Sequence, residues 1–322
     1  MAIEKLAVLT SGGDAPGMNA AIRSVVRTAL GEGVEIYGVY RGYNGLIDGD
    51  MELMNLRSVS DIIHRGGTML YTARSLEFKT DAGVQKAVDT CRKMGIGGVV
   101  VIGGDGSFRG AQDLSRKGLP CVGIPGTIDN DIACCDYTIG YDTALNTCKD
   151  MIDKLRDTAQ SHDRCSVVEV MGRHAGYLAL NAGIAVGATS ILVPEVEYDF
   201  KRDILERIAA TSRTGKKHFI IIVAEGVGHV VELASHIQEE TGIESRATIL
   251  GHVQRGGSPT VRDRVLASEM GYHAVELLLN GQTNKVVTIQ SDKITNLDIE
   301  EALQMKKPFN RRLYDIAHKI SI

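Results

Sequence analysis

The sequence predicts an α/β protein of two Rossmann-like three-layer domains on mostly parallel sheets, with the chain crossing between them. Three observations carry this. Short β-branched apolar runs recur along the chain, longer amphipathic stretches separate most of them, and 322 residues suffice for about two sizeable cores. The runs are apolar throughout rather than alternating, as strands covered on both faces should be.

Taken in order, strands are expected at 5–10 (KLAVLT), 35–40 (EIYGVY), 98–104 (GVVVIGG), 121–126 (CVGIPG), 165–172 (CSVVEVMG), 190–195 (SILVPE), 218–226 (HFIIIVAEG) and 246–253 (RATILGHV). Helices are expected at 17–30, at 80–94 with Thr80 as N-cap, and at 140–159, 199–213 and 260–279. The last thirty or so residues are more polar and read as a trailing helix with connections. No Pro- or Ser-rich linker divides the chain, so two domains must share it by crossing over more than once.

Composition narrows the function. With 43% hydrophobic and 24% charged residues the chain is globular, and a net charge of -4 argues against a general nucleic-acid binder, so any anion site must be built locally. The six cysteines show no CxxC spacing, which suggests neither a zinc framework nor a disulfide scaffold and fits reduced thiols in a cytoplasm. The N-terminus does not read as an export signal, and FIIIVA is far too short to span a bilayer.

In open parallel sheets, ligands bind outside the carboxyl ends of the strands. After KLAVLT comes Ser11-Gly12-Gly13-Asp14-Ala15-Pro16-Gly17 and then a helix. Glycines let backbone approach a phosphate and the helix offers unpaired N–H groups, although a simple β-to-α turn explains this segment equally well. GGDGS, residues 103–107, repeats the device without being a Walker loop or GxGxxG, and adds Asp105. A hard carboxylate beside phosphate-binding amides suits Mg²⁺ arriving with a nucleotide; the simpler alternative is an Asp capping the next helix.

CVGIPGTIDND, residues 121–131, places Asp129 and Asp131 two apart, on one face if the segment is extended, as a general base with a second acid would be. Arg74, Arg164, Arg173, Arg246 and Arg255 stand at or near loops beside strands, where a planar guanidinium can grip phosphate. Glu225 and His252 end apolar strands and suit hydrogen bonds to a sugar or phosphate; for His252 a structural role fits as well.

LTSGGDAPGMNAAIR, VVVIGGDGS, PGTIDNDI, VVEVMGRHAGYLAL and LGHVQRGGSP resemble the bacterial ATP-dependent 6-phosphofructokinases, in the expected order over essentially the whole chain. The resemblance implies a homotetrameric, allosteric glycolytic kinase that transfers a phosphoryl group from MgATP to the 1-hydroxyl of fructose 6-phosphate. It implies an ATP-binding domain at 1–139 plus 253–306 and a sugar-phosphate domain at 140–252 plus 307–322. By the same resemblance, Gly12, Gly13, Tyr43, Arg74, Ser75, Gly104, Asp105, Gly106 and Ser107 meet ATP, with Asp105 on Mg²⁺. Asp129 matches the general base, supported by Thr127 and Asp131, while Arg74 and Arg173 match residues that stabilise charge on the transferring group. Met171, Gly172, Glu225, His252 and Arg255 match sugar-phosphate contacts, and Arg164 and Arg246 match contacts from a neighbouring subunit.

Pyrophosphate-using relatives generally carry an Asp at the position of Gly106 and a Lys at that of Gly126, so this chain is expected to use ATP. Ser75 stands where some relatives place an aromatic residue near the adenine. Arg23, Arg27, Arg156, Lys216 and His218 match an effector site for ADP or phosphoenolpyruvate, but Thr189 replaces the usual Glu and Thr214 a common base, which implies an altered effector response. The alternatives are a pyrophosphate-dependent or broader sugar-phosphate kinase, or a non-catalytic nucleotide sensor.

Overall fold

The computed structural model describes residues 3–321. Strands β1 (Lys5–Thr10), β2 (Glu35–Val39), β3 (Met51–Leu53), β4 (Gly98–Gly103) and β5 (Cys121–Pro125) belong to one sheet; β6 (Cys165–Val170), β7 (Ser190–Leu192), β8 (Phe219–Ala224) and β9 (Ser245–Ile249) form a second; and the chain returns to the first with β10 (Lys285–Gln290) and β11 (Lys293–Asp298). The first sheet runs β11-β10-β5-β4-β1-β2-β3, parallel except for β3 and β11 at its edges. The second runs β7-β8-β6-β9 and is parallel throughout.

Helices α1 (Met18–Gly31), α2 (Tyr43–Asp48), α3 (Asp81–Met94), α4 (Asp105–Arg116), α5 (Tyr141–Ser161), α6 (Tyr177–Ala185), α7 (Glu206–Ser212), α8 (Val230–Thr241) and α9 (Val261–Leu279) lie between strands, and α10 (Ile299–Gln304) and α11 (Arg311–Ile320) follow β11. Thr80 caps α3 as expected, accepting from the Gly83 N–H at 3.0 Å, and Thr260 caps α9. Helix α1 buries Ile22, Val25, Val26 and Ala29 on one stripe. The stretch expected as one helix at 199–213 begins with a wide turn at Lys201–Leu205 before α7.

All eight expected strands are present, several ending early. The run at 190–195 stops at Leu192, ahead of Pro194, whose missing N–H cannot join a ladder. Two compact units result, one comprising residues up to Ile128, Ile132–Thr143 and Arg255–Lys307, the other Asp129–Asp131, Ala144–Gln254 and residues from Pro308 onward. Residues 129–131, expected in the first domain, thus group with the second unit. The first unit centres on fully buried Leu6, Leu9, Val100, Ile102 and Phe108, the second on Val167, Phe219, Ile221, Val223 and Ile237.

Candidate active site

In the first unit, strand order reverses at β1: β2 is laid down on one side of it and β4 on the other. A crevice for ligand is expected outside the carboxyl ends at such a reversal. Both glycine-rich loops emerge there. The Ser11 N–H donates to the Ile102 carbonyl at 2.9 Å, tying the loop after β1 to the end of β4. Gly103 permits this approach, because a Cβ there would lie 2.4 Å from both the Ser11 carbonyl oxygen and Ser107 Oγ.

Gly104 precedes α4 without any side-chain cap, leaving amides of the first turn for an incoming group. Asp105 is the first helical residue, one position past the Gly104 cap, where a carboxylate also suits the positive end of α4. A Cβ on Gly104 or Gly106 would meet nothing within 4 Å; both border open space. Gly126 differs, since its Cβ would press on Ile102 and Met18 side chains at 3.1 and 3.2 Å. Packing therefore accounts for the small residue at 126, and only Gly106 carries the spatial side of the donor argument.

The loop holding Arg74 is lashed to the end of β1. Thr10 donates to the Tyr71 carbonyl at 2.8 Å and Thr72 to the Gly12 carbonyl at 2.7 Å, while Arg74 itself is exposed. Ser75 Oγ accepts from the Phe78 N–H, which fixes the turn. Tyr43, expected at the nucleotide, is buried beneath the loop: its ring stacks on Phe78 with centroids 4.0 Å apart and its hydroxyl donates to the Ser107 carbonyl at 2.5 Å. It props Ser107 from below. Thr127 is pinned between strands, its N–H on the Ile139 carbonyl and its own carbonyl accepting from Thr138 Oγ1. The Arg255 guanidinium lies against Gly13 and donates to the Asp14 carbonyl at 3.2 Å.

Among the described residues no group of three or more His, Cys, Asp or Glu is gathered. The carboxylate of Asp105, beside the amides at the start of α4, fits Mg²⁺, which keeps its waters and takes one or two carboxylates together with substrate phosphates.

In the second unit, Met171, Gly172 and Arg173 follow β6, Glu225 follows β8 and His252 follows β9. The turn after β6 is tightly folded: Gly172 has φ 142°, Arg173 φ 54°, and a Cβ at Gly172 would fall 2.4 Å from the Ala175 carbonyl oxygen. Fully buried Gln254 holds two strand ends in register. Its amide oxygen accepts from the Met171 N–H at 3.1 Å and its amide nitrogen donates to the Gly251 carbonyl at 3.0 Å. His252 is exposed, which sets aside a buried structural histidine. Burial, together with the neighbouring Glu225 carboxylate, raises the Glu169 carboxyl.

Asp129 is 3% exposed and Asp131 more open. The extended reading of this segment fails at Asn130, which takes φ 51°, a left-handed conformation that Asn tolerates through its short polar side chain. The two carboxylates are therefore not placed by strand alternation. Tyr177 stands beside Asp131 and Glu195, and burial followed by these charges pushes its phenol up to about 12.

Arg164 and Arg246 depart from the strand-end logic. They sit at the amino ends of β6 and β9, the end of the sheet opposite to Met171, Arg173 and His252. Seven residues at about 3.3 Å each separate Arg164 from Met171, on the order of 20 Å. Both arginines meet Glu244, Arg164 through Nε at 2.8 Å and Arg246 through Nε at 3.0 Å and Nη2 at 2.6 Å.

Of the expected effector residues, Arg156, Lys216 and His218 cluster in the second unit. Burial, with Arg156 beside it, lowers Lys216, and burial with both cations lowers His218. Arg23 and Arg27 lie one turn apart on α1. Thr189 is 1% exposed and Arg207 Nε donates to its carbonyl at 2.8 Å; the Thr214 hydroxyl donates to the Thr211 carbonyl. Thr189 is thus buried while Thr214 stays exposed.

The family model described as Phosphofructokinase matches residues 5–278. The chain belongs to the phosphofructokinase family. The ATP-dependent 6-phosphofructokinase of Brevibacillus brevis is 58% identical over 320 residues, covering 99% of this chain and all of the relative, and that of Bacillus subtilis is 57% identical with the same coverage. The solved phosphofructokinase from Saccharomyces cerevisiae superposes with a TM-score of 0.88 at 36% identity, over 99% of this chain and 48% of the yeast chain. The family resemblance carried by the five motifs is borne out. This phosphofructokinase-family chain is an enzyme, a phosphotransferase of glycolysis, and no helix among its described residues is long and apolar enough to cross a membrane.

Several supporting residues escaped the sequence reading. Gln254 stands inside the quoted motif HVQRGGSP, but a neutral amide beside Arg255 gave no chemical signal. Thr10, Thr72 and Glu244 act through partners distant in sequence or across strands, which local pattern does not display.

Proposed function

We propose that this chain transfers the terminal phosphoryl group of MgATP to the 1-hydroxyl of fructose 6-phosphate, giving fructose 1,6-bisphosphate and ADP. The observation that carries this is the uncapped amino end of α4, open to space at Gly104 and Gly106 and set beside the loop of Gly12 and Gly13 where strand order reverses. Phosphoryl transfer asks for positioning, charge and a base, with little covalent chemistry. Asp129 takes the proton of the sugar hydroxyl, with Thr127 and Asp131 in support. Arg74 and Arg173 balance charge on the transferring group, while Met171, Gly172, Glu225, His252 and Arg255 hold the sugar phosphate. Mg²⁺ held by Asp105 supplies charge neutralisation on the nucleotide phosphates.

Arg164 and Arg246 grip the 6-phosphate bound by a neighbouring copy, since one chain presents them at the wrong end of its own sheet. A homotetramer in the cytoplasm follows from this reading. Arg23, Arg27, Arg156, Lys216 and His218 form an effector site whose response to ADP and phosphoenolpyruvate is weakened by burial of Thr189 in place of an acid.

Initial rates of fructose 1,6-bisphosphate formation with Mg²⁺ and fructose 6-phosphate, comparing ATP with pyrophosphate, test the proposal. Activity with ATP alone is expected. Activity with pyrophosphate overturns the donor assignment, and inactivity with both overturns the reaction.

A further inference from the structure

Glu244 lies between two arginines at the amino end of the second sheet. Its Oε2 accepts from Arg164 Nε and its Oε1 from Nε and Nη2 of Arg246, at 2.6 to 3.0 Å. Both arginines hold the carboxyl below the usual carboxylate range, so it stays ionised through neutral pH. The neighbouring acid Asp163 faces Lys217 at 3.9 Å and competes for neither arginine.

The backbone beneath this trio is fixed. The Cys165 N–H donates to the Glu244 carbonyl at 2.9 Å, the Phe219 N–H to the Arg164 carbonyl at 3.0 Å, and the Ser245 N–H to Gln238 Oε1 at 3.1 Å. Two guanidinium groups held this close repel one another, and a long Arg side chain loses rotamer entropy when it is ordered. A carboxylate on their inner edges offsets both costs. Among the described residues, the terminal nitrogens of Arg164 and Nη1 of Arg246 donate no hydrogen bond, so the outer donors stay available to a phosphate.

We infer that Glu244 is a positioning residue that sets Arg164 and Arg246 as one preorganised clamp for the sugar phosphate of a neighbouring copy's substrate. The inference rests on the proposed phosphate role of these arginines. A preorganised clamp binds more tightly because less ordering remains to be done on binding.

The test is steady-state kinetics of the intact oligomer. Glu244→Gln should raise the KM for fructose 6-phosphate about tenfold (~1.4 kcal/mol), with kcat and the KM for ATP within about twofold of wild type. Glu244→Asp, which keeps the charge, should fall between the two. In an Arg246→Ala background the Glu244→Gln effect should shrink, because a positioning residue acts through its partner. A KM for fructose 6-phosphate that is unchanged or lowered by Glu244→Gln overturns the inference, the lowered value meaning that the carboxylate competes with phosphate. A loss confined to kcat overturns it as well. Arg164→Ala and Arg246→Ala separate the two levels. If neither raises that KM, the phosphate reading of the arginines fails; if both do and Glu244→Gln does not, only the role of Glu244 fails.

Discussion

A methyl group added at Gly103 would be driven to 2.4 Å from the Ser11 carbonyl oxygen and the Ser107 hydroxyl, whereas one added at Gly106 meets nothing within 4 Å. These neighbours should therefore respond differently to alanine. Gly103→Ala must push the loops after β1 and β4 apart, costing about 1–3 kcal/mol of stability and weakening ATP binding with it. Gly106→Ala lies in the first turn of α4, where Ala is the better helix former, so stability should hold or rise by up to about 1 kcal/mol. The added methyl nevertheless occupies space assigned to the nucleotide, and the KM for ATP should rise severalfold. Urea unfolding and ATP saturation curves on both variants check this. An unchanged KM for ATP in Gly106→Ala would remove the nucleotide from that space. The carboxylates were legible in TIDND, but their arrangement was not, because a single left-handed residue, Asn130, redirects the chain without leaving a periodic trace.

At the scale of elements, α5 begins on a buried acid from another helix. Asp263, near the start of α9, accepts from the N–H groups of Gly140 and Thr143 at 2.9 and 2.8 Å and from the Thr143 hydroxyl at 2.5 Å. It thereby satisfies donors at the start of α5 from outside that helix. Asp263→Ala should destabilise the protein by about 2–4 kcal/mol through orphaned donors. Burial raises the Asp263 carboxyl despite these bonds. With the folded value above the unfolded one, its contribution is greatest at acid pH and declines as pH rises through the raised value. Asp203, held down chiefly by its hydrogen bond to Arg202, runs the other way and loses its contribution as pH falls. Urea midpoints of wild type and Asp263→Asn between about pH 4 and 7 should differ in slope accordingly, since Asn carries no proton linkage.

Elements with strong periodicity or clear caps were readable in the sequence, including β1, β4, β8, α3 and α9. The hairpin of β10 and β11 was not. Its two-residue turn is Ser291-Asp292, both at positive φ without a glycine to announce it. Helix α6 is apolar along most of its length and largely buried, so no amphipathic stripe marks it. Register and strand order are equally silent in the sequence, because any buried apolar strand can pair with any other.

At the scale of the molecule, the candidate sugar-phosphate residues divide between opposite ends of one parallel sheet. On the proposed function, a site that uses residues from both ends draws on two copies. Asp129→Ser should lower turnover by about 10²- to 10⁴-fold while substrates still bind, and Arg246→Ala should weaken fructose 6-phosphate binding with the base intact. Dissociating and reassembling these two variants together should restore a fraction of sites that combine Asp129 from one copy with Arg246 from another. Assays of the mixture against each variant alone measure it. No recovery above the two parents would mean that each chain completes its own site.

The sequence by itself determined the α/β class, the strand and helix runs with strong patterns, the glycine-rich loops and acidic residues on which the proposed function rests, and the family. These are local properties, set by periodicity, turn chemistry and motif spacing. Tertiary structure alone decided that the loops after β1 and β4 meet at the reversal of strand order, that Gly126 is small for packing while Gly106 is open, and that Tyr43 supports the loop from beneath. It also decided that Arg164 and Arg246 share Glu244 at the far end of their sheet. Such facts depend on which strands pair and in which direction, and that is fixed by burying all the apolar runs at once, so no single stretch of the chain contains it.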